Sequence, residues 1–419
     1  VNTAKYNAKT ALGNNSDMTI IIALNPQNTL NFPNFFEKLV ILMTDNWGYG
    51  TAVLPLIFIL YFWFKKGRDK RYLSDNIYFK PKNTPQKTVS LFERKILPLV
   101  YSPIKDLTPS QIGTIIDEKV DTKDVVAEIV ELARLGYLQI KKVAKKRFLG
   151  QTTDYAFISK SQDLTSLNNY QKYLYESLFN PEAIKDSKSK LPDYKIVGIT
   201  ETVLLSSLKD NFYEYLEEFK KKLYKNVAEK GYFDADPAKV TQNWKGYYLA
   251  VSIVFGLISF IYAGISGDNF GPFFLFCVLF LPGLFVANFM PRRTAWGYSL
   301  LNQINGLKYY VEKGKWRTEI AEKHLFMEEI LPIAISLGIV DKLARDMKDL
   351  GIQPPKYMNG MTVASFNSDF TGFNRSMASN ITSSPKGSGW SGSSSWSGGS
   401  GFSGGSSGGG FGGGGGGSW

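Results

Sequence analysis

The sequence predicts a mainly α membrane protein with three transmembrane helices, an α+β winged-helix-like cytoplasmic domain and a disordered Gly/Ser-rich tail. Three observations predict it. The runs 46–64, 246–267 and 269–291 are largely apolar and hold no Asp, Glu, Lys, Arg or His. Charge collects between them and after them, with a strong basic bias in one segment. The end of the chain is Ser and Gly with scattered Phe and Trp.

The apolar runs come first. A bilayer core needs roughly 20 apolar residues of helix at about 1.5 Å each. A soluble helix of that length carries a polar stripe, and YLAVSIVFGLISFIYAGI is apolar all round. Orientation follows from the formal net charge of +12. Residues 1–45 carry three basic and three acidic side chains, whereas 65–245 carry 33 basic and 24 acidic ones. From Arg292 on there are 13 basic and nine acidic. Positive charge stays on the cytoplasmic side of bacterial membranes, which explains the basic pI without nucleic acid. The strongest anchor is KKGRDKR, with Lys65, Lys66, Arg68, Lys70 and Arg71, and the second is Arg292 with Arg293. Trp47, Tyr49, Tyr61 and Trp63 near the ends of the first run fit an interfacial aromatic belt. The N-terminal segment is then outside, and 65–245 and the C-terminus are cytoplasmic.

The expected organisation is 1–45 as the end of an extracytoplasmic domain and linker, with MTIIIAL as a last strand and Phe36–Met43 as a short amphipathic helix. Then come the first span (46–64), the cytoplasmic winged-helix-like domain (65–245), and the second and third spans (246–267 and 269–291). Pro272 and Pro282 are candidate kinks in the third. Cytoplasmic amphipathic helices (292–357) and a disordered tail (358–419) complete the chain. The tail's composition cannot offset the entropy of ordering it. Val1 in place of Met suggests a longer protein upstream.

Within 65–245, Thr108 is an N-cap with Pro109 at the first helical position. Thr122 is the expected cap of a second helix, with Val125, Val126, Ile129, Leu132 and Ala133 on one face packing on Ile112, Ile115 and Ile116. Gly136 ends it. Tyr137–Ile140 alternates as a strand, KKVAKKR reads as a basic turn, and a second strand surrounds Tyr155–Ser159. A second copy of the theme is expected in a helix over Asn168–Phe179 and a long helix over Leu204–Lys230 ending in KGYF. Downstream, EEILPIAISLGIVDKLARDMKDL reads as a helix pair broken at Pro332.

Cysteine and histidine bound the chemistry tightly. One Cys, Cys277, and one His, His324, form no disulfide framework, zinc site or nucleophile pair. Cys277 reads as a small apolar residue in a span and His324 as a solvated helix residue. No catalytic, cofactor-binding or metal-ligating residue is assigned, and no enzyme activity or cofactor is expected.

LTPSQIGTIID, KDVVAEIVELARLGYLQIKK, the membrane hairpin, RRTAWGYSLLNQINGLKYYVE, LPIAISLGI and the Ser/Gly tail ending in Trp occur in this order. That ordered set, with KKGRDKR before it, resembles the YciQ-like predicted membrane proteins of bacteria, a family of unknown function, over residues 18–419. The resemblance implies a secretion signal and an extracytoplasmic β-rich domain upstream, and no catalytic or ligand residues. The Gly-rich end is also similar to that of membrane-anchored proteins with a TPM domain, which lack the winged-helix segment and the late hairpin.

Three function classes compete. A membrane-tethered interaction or scaffold protein would join an outside domain to a cytoplasmic module through an unknown protein partner. A membrane-bound winged-helix DNA-binding regulator would use the basic wing Lys141, Lys142, Lys145, Lys146 and Arg147. Its recognition helix would then carry Asp121, Asp124, Glu128 and Glu131, which oppose phosphate. The wing fits anionic inner-leaflet lipids as well, so the bilayer is the expected partner and nucleic acid is not. An oligomeric transporter component lacks intramembrane charge or broken half-helices. The interaction protein is the reading that remains.

Overall fold

The computed structural model describes residues 33–385 except 75–77, 82–83, 92–96, 148–149, 161–162, 181–201 and 268, and for 145–151 the backbone alone. The MTIIIAL strand, most of the linker after it, the loop after Phe179 and the Gly-rich end lie outside the described residues. The chain is mainly helical with small sheets. It divides into two compact units, residues 1–54 with 255–277 and residues 55–254 with 278–419.

In chain order come α1 (Phe35–Asp45), α2 (Trp47–Phe62, continuing as a π turn over Trp63–Gly67), β1 (Lys70–Tyr72), β2 (Gln86–Thr88), α3 (Pro109–Asp117) and α4 (Thr122–Arg134). The hairpin β3 (Leu138–Arg147) and β4 (Gly150–Ser159) follows, then α5 (Asn169–Leu178), β5 (Thr202–Leu204) and α6 (Tyr213–Glu229). Next are α7 (Pro237–Ile265), α8 (Gly271–Ala287), α9 (Ala295–Glu312), α10 (Lys323–Ser336), α11 (Val340–Asp349), β6 (Met358–Asn359) and α12 (Phe366–Ile381).

Among the described residues, two helices are long and apolar enough to cross a membrane by length and composition: Trp47–Gly67, with 21 residues, and α7, with 29. The third expected span is α8, apolar but only 17 residues long. That is about 25 Å of helix, against a hydrocarbon core of about 30 Å. Ile57, Leu60, Leu257, Ile261, Phe274 and Leu281 are exposed on these three helices. So much apolar surface on helices without a polar stripe calls for an apolar solvent.

In the smaller unit, the Asn34 side chain and Glu37 close a capping box on α1. This helix buries no residue, as suits an interfacial segment. Trp47 meets Tyr262 edge-on at 4.9 Å, and the Tyr262 hydroxyl donates to the Asp45 carbonyl at 2.6 Å. The hydroxyls of Thr51 and Ser259 lie 3.0 Å apart. At Gly256 a Cβ would come within 2.8 Å of the Phe276 ring, so a small residue is what lets these backbones approach.

In the larger unit, Ile59, Tyr248, Ala287 and Met290 form a small cluster of their own. Tyr248 stacks on Phe280 at 5.9 Å and donates to its carbonyl at 3.2 Å. Its ring occupies the space that a side chain at Gly283 would need. Pro272 sits in the first turn of α8, where its missing N–H is one the helix would leave unpaired anyway. Pro282 lies inside the helix.

The part of this unit outside the apolar helices is built around α3 and α4. Thr108 caps α3 through a capping box with Gln111, as its sequence predicts. α4 is capped one residue earlier than expected. Asp121, not Thr122, holds the extended N-cap backbone, because the Asp124 carboxylate reaches back to the Asp121 N–H at 2.8 Å. Gly136 ends the helix at φ 88°, with Tyr137 N bonding the Leu132 carbonyl at 3.0 Å. Gly231 repeats this ending, with Tyr232 N bonding Val227 O. There the likeness stops. The chain after Gly231 enters α7 rather than a hairpin, and Leu204–Lys230 is not one helix but β5, a 3-10 turn and α6.

β3 and β4 pair antiparallel in a four-stranded sheet of order β5-β4-β3-β6, where β6 runs parallel to β3. KKVAKKR is therefore strand, not turn: Lys141 opposes Ala156, and the register continues to Arg147 opposite Gly150.

The segment after residue 292 belongs to the same core. Trp316, Ile330, Leu331, Phe366 and Phe373 are buried in one cluster with Ile112, Val125 and Ile129. The expected break at Pro332 does not occur. Pro332 lies inside α10, and the Glu328 carbonyl that its missing N–H would have served accepts the Tyr357 hydroxyl at 2.9 Å instead. The helix ends at Gly338, φ 69°. The expectation of a disordered tail from 358 is also corrected. Phe366, Phe370, Phe373, Met377 and Ile381 recur at helical spacing, and that face of α12 is buried.

Candidate functional site

Among the described residues, the richest polar assembly stands where the charged ends of the apolar helices meet α3, and Arg293 is its centre. Its side chain is 6% exposed. Nε donates to the Ile115 carbonyl at 2.6 Å and Nη2 to the Ile116 carbonyl at 2.8 Å. Nη1 reaches Asp69 Oδ2 at 3.0 Å and Glu118 Oε1 at 2.5 Å. The Arg293 backbone N–H donates to Asp69 Oδ1 at 2.7 Å, and its carbonyl accepts from Lys70 N at 3.2 Å.

Local sequence prepares these partners. α3 stops at Glu118, which takes the left-handed conformation at φ 64°, so the last carbonyls of α3 point at the guanidinium. A cation there also complements the helix dipole. The planar fork of five donors serves two carbonyls and two carboxylates at once, which a lysine could not do. Burial pushes Glu118 up to about 7 against the pull of Arg293.

Around this hub the other predicted anchors have distinct partners. Arg292 pairs with Asp234, Nε to Oδ2 at 2.6 Å, and Lys70 reaches the same carboxylate at 3.1 Å. Phe233 and Arg293 form a backbone bridge, and Asp234 N donates to the Arg292 carbonyl. Arg68 donates twice to the Val89 carbonyl and lies 4.4 Å over the Phe64 ring. Lys65 and Lys66 lie over Tyr61 and Phe62 at 5.9 and 5.5 Å. Arg71 is on β1, opposite Lys87.

An open recognition helix would present Asp121, Asp124, Glu128 and Glu131 to phosphate, but Asp121 is the N-cap of α4 and the three acids on the helix are enclosed. Asp124 and Glu128 have no exposure and Glu131 has 8%. Glu128 accepts from Ser110 N at 3.1 Å, from the Ser110 hydroxyl, and from Gln171 Nε2 at 2.6 Å. Nearby, Tyr170 and Thr108 hydroxyls lie 2.7 Å apart, and Gln111 donates to Asn226 at 2.7 Å. Burial raises the Glu128 carboxyl to about 7, with Ser110 and Gln171 pulling the other way. A sequence signal existed: Glu128 stands three residues after Val125 and four before Leu132, beside the apolar stripe.

The hairpin cations are placed along β3. Lys142 pairs with Asp369 of α12 at 2.8 Å, and Lys141 is half-buried with interactions of its own. The side chains of Lys145, Lys146 and Arg147 lie outside the described residues. Among the described residues no cluster of His, Cys, Asp or Glu could hold a metal ion. His324 stands 3.7 Å from Glu328 on the half-open surface of α10, and Cys277 is exposed on α8.

Two helices of membrane-crossing length and composition, with charged residues at their ends bonded to the rest of the unit, are the features of a membrane protein. The chain belongs to the family of predicted membrane proteins DUF2207, whose C-terminal domain matches residues 99–347, in agreement with the YciQ-like resemblance. The match contains Arg293, α4, α7 and α8. No curated protein and no solved structure matches the chain.

Proposed function

We propose that the chain is a non-catalytic, membrane-tethered interaction protein that crosses the bilayer three times. It links an extracytoplasmic domain to a cytoplasmic, winged-helix-like module that receives a protein partner. The observation that carries this reading is the junction at Arg293. Asp69 follows the first apolar helix, Asp234 precedes α7, and Arg292 and Arg293 follow α8; all are bonded together. If α7 crosses, the chain must return through α8 to reach that junction. A helix of 17 residues can serve if the bilayer thins locally or the flanking residues Asn288–Met290 complete the span. Rigid coupling of three span ends to one module suits a protein that transmits position or occupancy across a membrane.

The enclosure of α4 weighs against a DNA-binding regulator. A recognition helix needs an open face for the major groove, and α4 is covered by α3 and α10 with its acids buried.

The test is topological. In a Cys277→Ser background, single cysteines at Asn7 and Asn269 should label with an impermeant thiol reagent in intact cells, and one at Ser187 should not. Labelling at Ser187 but not at Asn7 would invert the protein. Asn7 accessible with Asn269 protected would remove the α7–α8 crossing.

A further inference from the structure

A second polar feature lies beside the Arg293 junction. It is a cleft of about 500 Å³ walled by the α3–α4 loop, α6 and the first turns of α7. Lys119 comes from the loop, Lys220 from α6, and Thr241, Gln242 and Lys245 from one face of α7. Asn288, the first residue after α8, also lines it. The cleft is thus built from elements distant in sequence, with three ammonium groups and three neutral hydrogen-bonding side chains around one space.

Two acids, Glu118 and Asp121, also line it. Arg293 reaches Glu118 at 2.5 Å while also serving Asp69, and Lys123 lies 3.9 Å from Asp121 but closer to Asp117, at 3.0 Å; in the lining itself three ammonium groups stand against these two carboxylates. The charge presented to a ligand is therefore positive. Its depth relative to the bilayer is set by sequence. Lys245 is the last charged residue before the uncharged run that begins at Gly246. Trp244 and Tyr247, in edge contact at 5.6 Å, mark the interfacial level where amphipathic rings settle.

We propose that this cleft binds the phosphate of an anionic phospholipid headgroup, with Lys119, Lys220 and Lys245 neutralising it and Thr241, Gln242 and Asn288 supplying hydrogen bonds. An ammonium group near an anionic surface contributes about a fivefold gain in binding, so three contribute about a hundredfold. The acyl chains would lie along the exposed apolar surface of α7 at Leu249 and Ile253. The inference rests on α7 crossing the bilayer, as proposed above.

The experiment uses the full chain, released from membranes in mild detergent and titrated with phosphatidylglycerol or phosphatidylcholine while bound lipid is counted by native mass spectrometry. Phosphatidylglycerol should be retained over phosphatidylcholine. The Lys119→Gln, Lys220→Gln, Lys245→Gln variant should lose about a hundredfold of that affinity. Ala238→Trp, which fills the cleft without changing its charge, should also lose the lipid. Lys221→Gln with Lys225→Gln and Lys239→Gln, the same charge change on exposed positions, should not. Equal retention by the cleft and control variants would overturn the proposal. So would inorganic phosphate binding to the cleft with no preference between the two lipids, because the site would then be one for a soluble anion. Should the triple variant misfold by thermal melt, Ala238→Trp decides alone. Cysteine labelling that supports three spans, with lipid retention indifferent to the cleft, would sink this inference and leave the functional reading standing.

Discussion

Arg293 and the hairpin lysines look alike in sequence, as clustered cations beside a membrane, yet the fold treats them in opposite ways. Arg293 is enclosed and bonded to Asp69, Glu118 and two α3 carbonyls. Lys142 meets one carboxylate from α12, and the basic run continues along the strand toward the hairpin's end. Net charge decides which side of a membrane a segment keeps to. Whether a cation becomes a structural bolt or a surface contact depends on partners delivered from elsewhere in the chain. Arg292 sharpens the point, because it neighbours Arg293 and still keeps 26% side-chain exposure in its pair with Asp234.

The largest expected effect tests that difference directly. Arg293→Met strands two half-buried carboxylates, Asp69 and Glu118, and two helix-end carbonyls, and should cost about 3–5 kcal/mol or prevent folding. Arg292→Met removes a half-exposed pair and should cost no more than about 1 kcal/mol. Denaturant unfolding of the detergent-solubilised protein reads both. Equal losses would erase the distinction between the two arginines.

A smaller effect comes from the buried acid. Glu128 has its folded-state pKa raised from 4.5 to about 7. As pH rises through that window the unfolded chain releases a proton that the folded chain keeps, so stability is full below the unfolded value and falls until pH passes 7. Glu128→Gln should remove its share of that fall, about 1–3 kcal/mol between pH 5 and pH 8. Glu118 is shifted in the same direction, so some dependence should remain. Thermal melts across pH that superimpose for wild type and variant would mean that Glu128 does not titrate in this range.

Local signals carried much of the architecture. Thr108-Pro109, Gly136 and the i, i+3, i+4 apolar positions of α4 forecast their elements because capping and periodicity act within a few residues. The charge-free runs forecast α2, α7 and α8 for the same reason. What sequence did not disclose was the far side of each element. α4 showed an apolar face and an acidic one, and the acids become interior only because α3 and α5 bring Ser110 and Gln171 onto Glu128 while α10 packs on the same helix. Pro332 reads as a helix breaker until the Tyr357 hydroxyl supplies the hydrogen bond its ring denies. In α12, composition misled where spacing was informative. Ser, Asn and Gly suggested disorder, while Phe366, Phe370 and Phe373 already traced a buried face. At the site, Arg292 and Arg293 read in the sequence as a charged border after an apolar run. The convergence of Asp69, Glu118 and Asp234 on them was not, since it joins segments far apart in the chain.

The remaining prediction concerns the hairpin end of the comparison. Lys145, Lys146 and Arg147 follow Lys142 on β3, and Lys142 is held by Asp369 at 2.8 Å. If these three charges serve a lipid surface rather than the fold, they should be dispensable for stability. A fluorophore on a cysteine replacing exposed Thr153, in a Cys277→Ser background, can report energy transfer to headgroup-labelled lipid in nanodiscs. Transfer should rise with the fraction of phosphatidylglycerol and fall with salt, as screened attraction over about 10 Å requires. Lys145→Ala, Lys146→Ala and Arg147→Ala together should weaken it by about a hundredfold in apparent affinity while leaving the melting temperature unchanged, at about 1 kcal/mol per basic residue near an anionic leaflet. Lys142→Ala should do the reverse, lowering stability by about 1 kcal/mol with little change in transfer. If the triple variant unfolds, or if transfer ignores lipid charge, the hairpin is part of the scaffold after all. A gel-shift series on the same full-length protein then shows whether its cations answer to nucleic acid: sequence-selective binding that survives moderate salt would return the DNA-binding regulator to first place.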